Sequence, residues 1–191
     1  MKDFLLKRKY LYEELSKDKK FKDSVIKAGH IIINALKKGK KLLIFGNGGS
    51  AAEAQHFAAE LICKFQKERS SIPAIALTAD SSIITAQSND IGFEYVFSRQ
   101  IEGLANEGDV VIGLTTSDFN SKNRHSLNIK EAFLAAKLKR AKCIGFFSSK
   151  TSKLLNLVDL SIIVPDNDTA RVQEIHLAVI HFLCGFVEDS L

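Results

Sequence analysis

The chain has 191 residues, 46% of them hydrophobic and 26% charged, and a formal net charge of +5 at pH 7. This length predicts one globular domain over residues 1–191, and the composition excludes a disordered or fibrous chain. No stretch reaches the roughly 18 consecutive apolar residues that a membrane span requires, and the first residues lack a signal-peptide pattern. We therefore expect a cytoplasmic protein without a membrane partner.

The positive charge favours a small anionic ligand over nucleic acid. The lysines concentrate before residue 42 and at residues 137–142, without the interleaved aromatic residues on which bases stack. The three cysteines, Cys63, Cys143 and Cys184, are far apart and have no CxxC spacing. This pattern argues against a disulfide framework and a thiolate zinc site, and it predicts buried free thiols.

The order of predicted elements indicates a doubly wound α/β fold. Residues 3–38 have apolar positions at helical spacing and end at Gly39, which predicts an N-terminal helical extension over about residues 1–38, formed by one or two helices. Five short apolar runs follow, namely KLLIFG, AIALT, VVIGLTT, KCIGFFS and LSIIVP. They alternate with helical stretches at 50–65, 80–90, 126–141 and 169–189. Such alternation predicts a mainly parallel five-stranded sheet flanked by helices on both faces.

The segment GNGGS, residues 46–50, ends the first strand and opens a helix. Its glycines permit positive φ and close backbone approach, and Ser50 stands where the N–H groups of a helix start favour an anion. The alternative is a tight turn in which Ser50 only caps the helix. The segment is neither a dinucleotide-binding GxGxxG nor a Walker A loop, because no Lys-Ser/Thr follows.

Hydroxyl residues follow the third predicted strand at Thr115, Thr116 and Ser117, and two more are Ser121 and Ser126. Ligands of open α/β sheets bind beyond the carboxyl ends of the strands, where this loop and GNGGS both belong. A cluster of neutral donors at that edge suits a phosphomonoester. An ordinary helix cap is the alternative for the Thr-Thr-Ser segment.

Two apolar helices carry polar residues that need partners. His56 and Glu60 are one helical turn apart, which a simple hydrogen bond in the core would explain. The last helix contributes Gln173, His176 and His181. Gln173 and His181 lie about 80° apart around the axis and roughly 12 Å apart along it, so they share a site only by converging on a group between them. Spacing does not choose between His176 and His181.

Five segments together resemble the sugar isomerase (SIS) domain, and within it the phosphoheptose isomerase family: GNGGSAAEAQHFAAEL, SIPAIALTAD, SNDIGFEYVFSRQIE, GDVVIGLTTS and DTARVQEIHLAVIHFLC. The resemblance covers almost the whole chain and implies a Rossmann-like SIS fold. It implies an aldose–ketose isomerase that converts sedoheptulose 7-phosphate to D-glycero-D-manno-heptose 7-phosphate for bacterial surface heptose, in lipopolysaccharide or capsule. It also implies one zinc ion per subunit and a homotetramer with sites at subunit interfaces.

The resemblance also assigns roles to residues. The implied substrate-binding residues are Asn47, Gly48, Gly49, Ser50, Glu60, Asn89, Asp90, Thr115, Thr116, Ser117, Ser126 and Gln173. The implied zinc ligands are His56, Glu60, Gln173 and His181. Glu60 would be the base that moves a proton between C1 and C2, and His181 would be the acid/base on the sugar oxygens.

The hydroxyl loop departs from the family pattern. The family reads STSGxS followed two residues later by Asn-Val, whereas TTSDFNSKNRHSLNI carries about six extra residues and lacks the glycine. Aligning SLNI with the family's helix start matches Ser126, and aligning the NS pair matches Ser121; we prefer Ser126 because the helix then continues without gaps. The inserted residues 118–125 either reshape the phosphate site, with Lys122 or Arg124 adding a cation, or are a tolerated surface insertion.

Other departures bear on the substrate. The family's Gly-Arg-Tyr after the glutamate is Cys63, Lys64 and Phe65 here, and its aspartate before the histidine is Glu53. Two alternatives stay open: an isomerase or sensor for a different phosphosugar, and a non-enzymatic relative that binds a replication initiator. Such relatives tend to lack the last metal-position histidine, so the presence of His181 favours an enzyme.

Overall fold

The computed structural model of the chain describes residues 1–122 and 124–191; residue 123, within the predicted insertion, lies outside the described residues. Its centre is an all-parallel sheet in the order β2-β1-β3-β4-β5. The strands are β1 (Leu42–Gly46), β2 (Ala74–Ala76), β3 (Val110–Leu114), β4 (Lys142–Ser148) and β5 (Leu160–Val164). Each of the five predicted runs contains one of these strands, and the predicted doubly wound α/β class is confirmed.

Helices cover both faces of the sheet. They are α1 (Lys2–Lys17), α2 (Lys19–Leu36), α3 (Gly49–Ile62), α4 (Ser81–Asp90), α5 (Ser98–Leu104), α6 (Leu127–Leu138) and α7 (Thr169–Glu188). Alternate residues of β1 enter two separate cores: Leu42 and Ile44 pack with α2, α3 and α7, whereas Leu43 and Phe45 pack with α5 and α6. This division follows from the two-residue period of a strand that is buried on both faces.

The N-terminal extension consists of two helices that meet at Asp18. Its carboxylate accepts a hydrogen bond from Phe21 N at 3.0 Å and so caps the start of α2. The second helix ends at Leu36, and Gly39 follows with φ +71°. Helix α5 and two 3-10 turns, Phe93–Tyr95 and Lys153–Leu157, were not predicted. Helix α5 has seven residues and no side-chain cap, and it is held by packing against α6.

Helix α7 is long and apolar enough, by length and composition, to cross a membrane. In the fold it packs against α2, α3 and the strands β4 and β5. The buried polar residues His176 and Glu188 also lie on it. We therefore interpret α7 as the core helix of a globular domain.

The three cysteines are free, as predicted, but they differ in exposure. Cys143 and Cys184 are buried, and burial raises the pKa of each thiol to about 12. Cys63 is exposed at the end of α3. The expectation of a buried thiol is therefore wrong for Cys63, because α3 ends at Ile62 and residue 63 opens a surface loop.

Candidate active site

The two predicted ligand loops leave neighbouring strands side by side. Gly46 at the end of β1 is the register partner of Leu114 at the end of β3. From β1 the chain adds β2 on one side and then β3 on the other side, so the strand order reverses between β1 and β3. Open α/β sheets bind ligands at such a switch point. An open cavity of about 510 Å³ lies there. Nine of the predicted substrate residues line it, namely Asn47, Gly48, Gly49, Ser50, Thr115, Thr116, Ser117, Ser126 and Gln173.

Two positions of the glycine loop, Gly48 and Gly49, require a residue without a side chain. Gly48 precedes α3 with φ +55° and ψ −121°, a conformation that other residues rarely adopt. A Cβ atom on Gly49 would lie 2.6 Å from Gln173 Nε2. Gln173 can therefore approach α3 and donate to Ser50 Oγ at 3.4 Å. The alternative in which Ser50 caps the helix is wrong, because Gly48 occupies the cap position and α3 has no side-chain cap.

A pair of amides joins the glycine loop to the first turn of α6. Asn47 Nδ2 donates to Asn128 Oδ1 at 2.9 Å, and Asn128 Nδ2 donates to Asn47 Oδ1 at 2.7 Å. Asn128 is buried. It was not among the predicted site residues, although a buried asparagine in an apolar helix needs a partner and offered that signal.

Hydrogen bonds between its own residues hold the hydroxyl loop after β3. Thr115 Oγ1 donates to Ser117 O at 2.9 Å and accepts from Ser117 N at 3.3 Å. Thr116 O accepts from Ser148 Oγ at 2.8 Å, so the loop is also tied to the end of β4. The helix-cap alternative is wrong, because α6 begins at Leu127. The three hydroxyl residues instead line the cavity.

An antiparallel bridge between Asn120 and His125 brings the last residues of the insertion to the cavity, and we call the described residues 118–122 and 124–125 the hairpin. Arg124, His125 and Ser126 line the cavity, and Arg124 forms an ion pair with Glu94. Ser121 lies in the exposed turn of the hairpin. The geometry therefore places Ser126, rather than Ser121, beside the hydroxyl loop. The expected role of Lys122 is not supported, since this residue lies in the same turn as Ser121 and outside the cavity lining.

The polar side chains of α3 and α7 meet farther along these helices. His56 Nε2 lies 2.8 Å from His181 Nε2 and 3.5 Å from Glu60 Oε1. The His181 ring stacks on Phe65 with centroids 5.6 Å apart and an interplanar angle of 17°. His176 lies elsewhere, buried with Nε2 3.3 Å from Phe147 O. Burial lowers the pKa of His176 to about 4. Packing thus separates the two histidines that spacing could not distinguish.

Three predicted substrate residues lie outside the cavity lining. Asn89 and Asp90 are exposed at the end of α4, and Asn89 Nδ2 donates to Asp90 Oδ1 at 2.8 Å. Glu60 belongs to the histidine group. Ser50 and His56 are six positions apart on α3, which corresponds to about 9 Å along the helix axis. The start of α3 therefore lies at the hydroxyl-lined cavity, and its later turns carry a His/Glu end that is not part of the cavity lining.

Comparison with known proteins identifies the family. The SIS domain family matches residues 7–148. A phosphoheptose isomerase from Campylobacter jejuni is 48% identical over 169 residues, which is 88% of each chain. The chain belongs to the phosphoheptose isomerase family of SIS domains. The structure of a phosphoheptose isomerase from Francisella tularensis is 31% identical, with a TM-score of 0.91 over 98% of this chain and 96% of that one. The one from Neisseria gonorrhoeae is 34% identical, with a TM-score of 0.87 over the same shares.

The donors at the His/Glu end of this SIS domain suit a borderline metal such as zinc. Two imidazoles and a carboxylate converge, and these are the groups that Zn²⁺ prefers. Among the described residues, no three His, Cys, Asp or Glu side chains are already arranged as a metal cluster. The two Nε2 atoms of the histidine pair are at hydrogen-bond distance. The donors therefore fit zinc in kind, and binding would require both imidazoles to be neutral at the ligating nitrogens.

One buried acid of this SIS domain lies on α3 between its two polar ends. Glu53 is 7% exposed, and neither carboxyl oxygen makes a hydrogen bond within the described part of the chain. Burial raises its pKa to about 7, an effect that the Ser50 hydroxyl only partly offsets. Sequence reasoning noted Glu53 only as a departure from the family's aspartate.

Proposed function

We propose that this SIS domain is an aldose–ketose isomerase that converts sedoheptulose 7-phosphate to D-glycero-D-manno-heptose 7-phosphate, for lipopolysaccharide or capsule heptose. The observation that carries the proposal is the placement of two groups along α3 and α7: a hydroxyl-lined cavity at the β1/β3 switch point, and the group His56, Glu60 and His181 farther along the same helices. We take the two groups to bind one substrate. Its relatives at 48% identity are phosphoheptose isomerases.

Each end binds a different part of the substrate. Thr116, Ser117 and Ser126 offer hydroxyl groups to a phosphate, Thr115 holds the loop through its own hydroxyl, and the start of α3 adds the dipole of a 14-residue helix. An extended seven-carbon sugar phosphate bridges a distance similar to the roughly 9 Å between Ser50 and His56. Its C1 and C2 atoms then lie beside Glu60 and the histidines.

The reaction moves one proton between neighbouring carbons. The Glu60 carboxylate removes a proton from C1, the C–H electrons form the C1–C2 double bond, and the C2 oxygen takes a proton from His181. Glu60 then returns its proton to C2 while His181 recovers one from the C1 hydroxyl, which leaves an aldehyde at C1. Protons and electrons balance within the substrate, so no external oxidant or reductant is consumed.

Zinc is part of this proposal. His56, Glu60 and His181 would hold it, and the family resemblance adds Gln173, whose amide contacts Ser50 Oγ here. When bound, the metal would supply a Lewis acid that stabilises negative charge on the sugar oxygens. Phe65 stacks on the His181 ring and orients its plane.

A cytoplasmic homotetramer with sites at subunit interfaces completes the proposal. Support for the assembly comes from an apolar groove between α1, α2 and α7, lined by Tyr12, Phe21, Lys22, Val25, Ile26, Ile175, Ala178, Val179 and Phe182. Phe182 is 47% exposed, and its ring stacks on Phe186 with centroids 5.8 Å apart. Such a face is more stable when a second chain covers it.

The test is incubation with sedoheptulose 7-phosphate, with the product identified by chromatography. We expect turnover by the wild-type protein and at least a hundredfold lower kcat for Glu60→Gln, which keeps the size of the side chain but removes the base. Glu68→Gln is the matched control, because Glu68 is an exposed carboxylate that pairs with Lys64 at the surface. A Glu60→Gln variant that retains more than a few per cent of activity would remove Glu60 from this role.

A different phosphosugar is the second candidate, and the inserted hairpin beside the hydroxyl loop is the observation that favours it. Five-, six- and seven-carbon ketose phosphates assayed side by side decide the matter. A kcat/KM highest for the seven-carbon substrate supports the first proposal, and a higher value for another substrate supports the second. The initiator-binding alternative is not favoured, because the relatives from Campylobacter jejuni, Nitratiruptor and Francisella tularensis are named phosphoheptose isomerases.

A further inference from the structure

We propose that His125 is a phosphate-binding determinant that the inserted hairpin adds to this site. Its imidazole holds the Ser117 hydroxyl so that the hydroxyl hydrogen points to the substrate phosphate. The inference rests on the proposed function for the identity of the substrate. It deepens that function by assigning a role to the one segment that departs most from the family pattern.

The hairpin is attached to the domain at its base. The Asp118 carboxylate accepts hydrogen bonds from Ser152 N at 3.1 Å, Ser152 Oγ at 2.9 Å and Lys153 N at 2.8 Å. Although partial burial opposes it, these hydrogen bonds hold the pKa of Asp118 below its ordinary value. Asn120 N donates to His125 O at 2.9 Å and closes the hairpin. These contacts hold Asp118, Asn120 and His125 in place.

A second contact holds the hairpin at Arg124, which lines the cavity. Arg124 pairs with Glu94, which belongs to the 3-10 turn after α4. Arg124 and Ser126 both have positive φ, +59° and +51°, which non-glycine residues rarely adopt. These two positions flank His125. Such conformations persist only where the surrounding contacts fix the backbone. The backbone on both sides of His125 is therefore fixed, and so is the position of His125.

The imidazole meets the hydroxyl loop directly. His125 Nε2 lies 2.8 Å from Ser117 Oγ, and both residues line the cavity. The backbone N–H and C=O of Ser117 are both engaged by Thr115. The hydroxyl is therefore the group of Ser117 that is left to meet a ligand.

Hydrogen-bond chemistry determines what the contact does. A serine hydroxyl has one hydrogen to donate, and a phosphate dianion only accepts. When His125 Nε2 carries the proton and donates to Ser117 Oγ, the hydroxyl hydrogen is left for a phosphate oxygen. The opposite arrangement, in which the hydroxyl donates to the imidazole, would direct that hydrogen away from the phosphate. Phosphate binding thus selects the form of His125 that donates from Nε2.

The experiment compares His125→Ala, Ser117→Ala and the double variant. Binding of inorganic phosphate is measured by calorimetry, and kcat and KM are measured with sedoheptulose 7-phosphate. We expect each single variant to raise both the phosphate Kd and KM about tenfold, the loss of one hydrogen bond to a charged group, with kcat nearly unchanged. The double variant should be no weaker than Ser117→Ala alone, because the two residues act as one unit. His125→Gln, whose amide can donate to Ser117, should recover part of the affinity.

The control is Lys150→Ala, which removes an exposed cation from the turn after β4 and should leave both constants unchanged. An unchanged phosphate Kd in His125→Ala overturns the inference, and so does a double variant whose losses multiply, or a wild-type protein that binds no phosphate at millimolar concentrations. Wild-type protein that binds phosphate but does not isomerise the heptulose phosphate contradicts the proposed function alone. In that case the phosphate Kd values still decide the role of His125.

Discussion

Two buried groups, Glu53 and His176, make the unfolding free energy of this protein depend on pH. The folded state favours the protonated form of Glu53, because the pKa is raised to about 7 from an ordinary value of 4.5. An acid whose folded pKa is raised costs stability as pH rises, since the unfolded chain ionises first. The cost therefore grows from about pH 4.5 to pH 7 and is constant above that. His176 acts in the opposite sense: its pKa is lowered to about 4, so the stability from its neutral form is lost as pH falls from about 6.5 to 4.

The variant Glu53→Gln measures what the Glu53 carboxyl group alone contributes to stability. We expect this variant to gain stability relative to wild type as pH rises from 5 to 8, by about 3 kcal/mol of unfolding free energy, because glutamine does not ionise. Urea unfolding curves at several pH values measure the difference, and His176 contributes equally to both proteins. Glu102→Gln is the control, an exposed carboxylate paired with Arg99. The same stability difference at pH 5 and pH 8 would show that Glu53 is not titrating in this range.

At the scale of elements, the ends of α3 and α7 are joined by one buried ion pair. Arg69 Nε donates to Glu188 Oε1 at 2.9 Å, and the Glu188 side chain is 1% exposed. The guanidinium also donates to Glu60 O and Leu61 O, both at 2.8 Å, and so satisfies carbonyls in the last turn of α3. Glu188 in turn accepts from the backbone N–H groups of three successive loop residues, beginning with Phe65 at 2.8 Å. The ion pair thus holds both Glu60 and the ring that stacks on His181.

We expect Glu188→Gln to lower the unfolding free energy by about 2–4 kcal/mol, because an amide cannot serve all these donors and leaves Arg69 without its counter-ion. The kcat should fall as well, since Phe65 and the end of α3 lose their anchor. Chemical unfolding and steady-state kinetics measure the two effects. Asp189→Asn is the control: this neighbour pairs with Lys67 at the surface. A Glu188→Gln variant as stable and active as Asp189→Asn would show that the pair contributes little.

At the scale of the whole molecule, the apolar groove predicts association. We expect the wild-type protein to sediment as a tetramer, and Phe182→Glu to reduce the size of the assembly by placing a charge in the groove. Leu138→Glu is the control, because Leu138 is exposed at the end of α6 and lies outside the groove. A monomeric wild-type protein, or equal masses for all three proteins, would exclude this groove as an interface.

The sequence by itself determined the sheet and the two ligand loops. The central strands β1, β3 and β4 are buried on both faces and need continuous apolar runs, and the less buried edge strands β2 and β5 are also short apolar runs. All five were therefore readable without tertiary information, and the glycine and hydroxyl loops followed from their places after β1 and β3. Helix α5 was not readable, because its seven residues have no side-chain cap and depend on contacts with α6. The family resemblance, rather than spacing, supplied the roles of Glu60 and His181.

Only the tertiary structure decided which polar groups meet. Helical spacing does not choose between His176 and His181, and the packing of α7 against α3 and the sheet places His176 in the core and His181 beside His56. His125 escaped sequence reasoning because its contact with Ser117 depends on a hairpin with two residues at positive φ. Such conformations are set by contacts distant in the chain, and local sequence preferences carry little information about them.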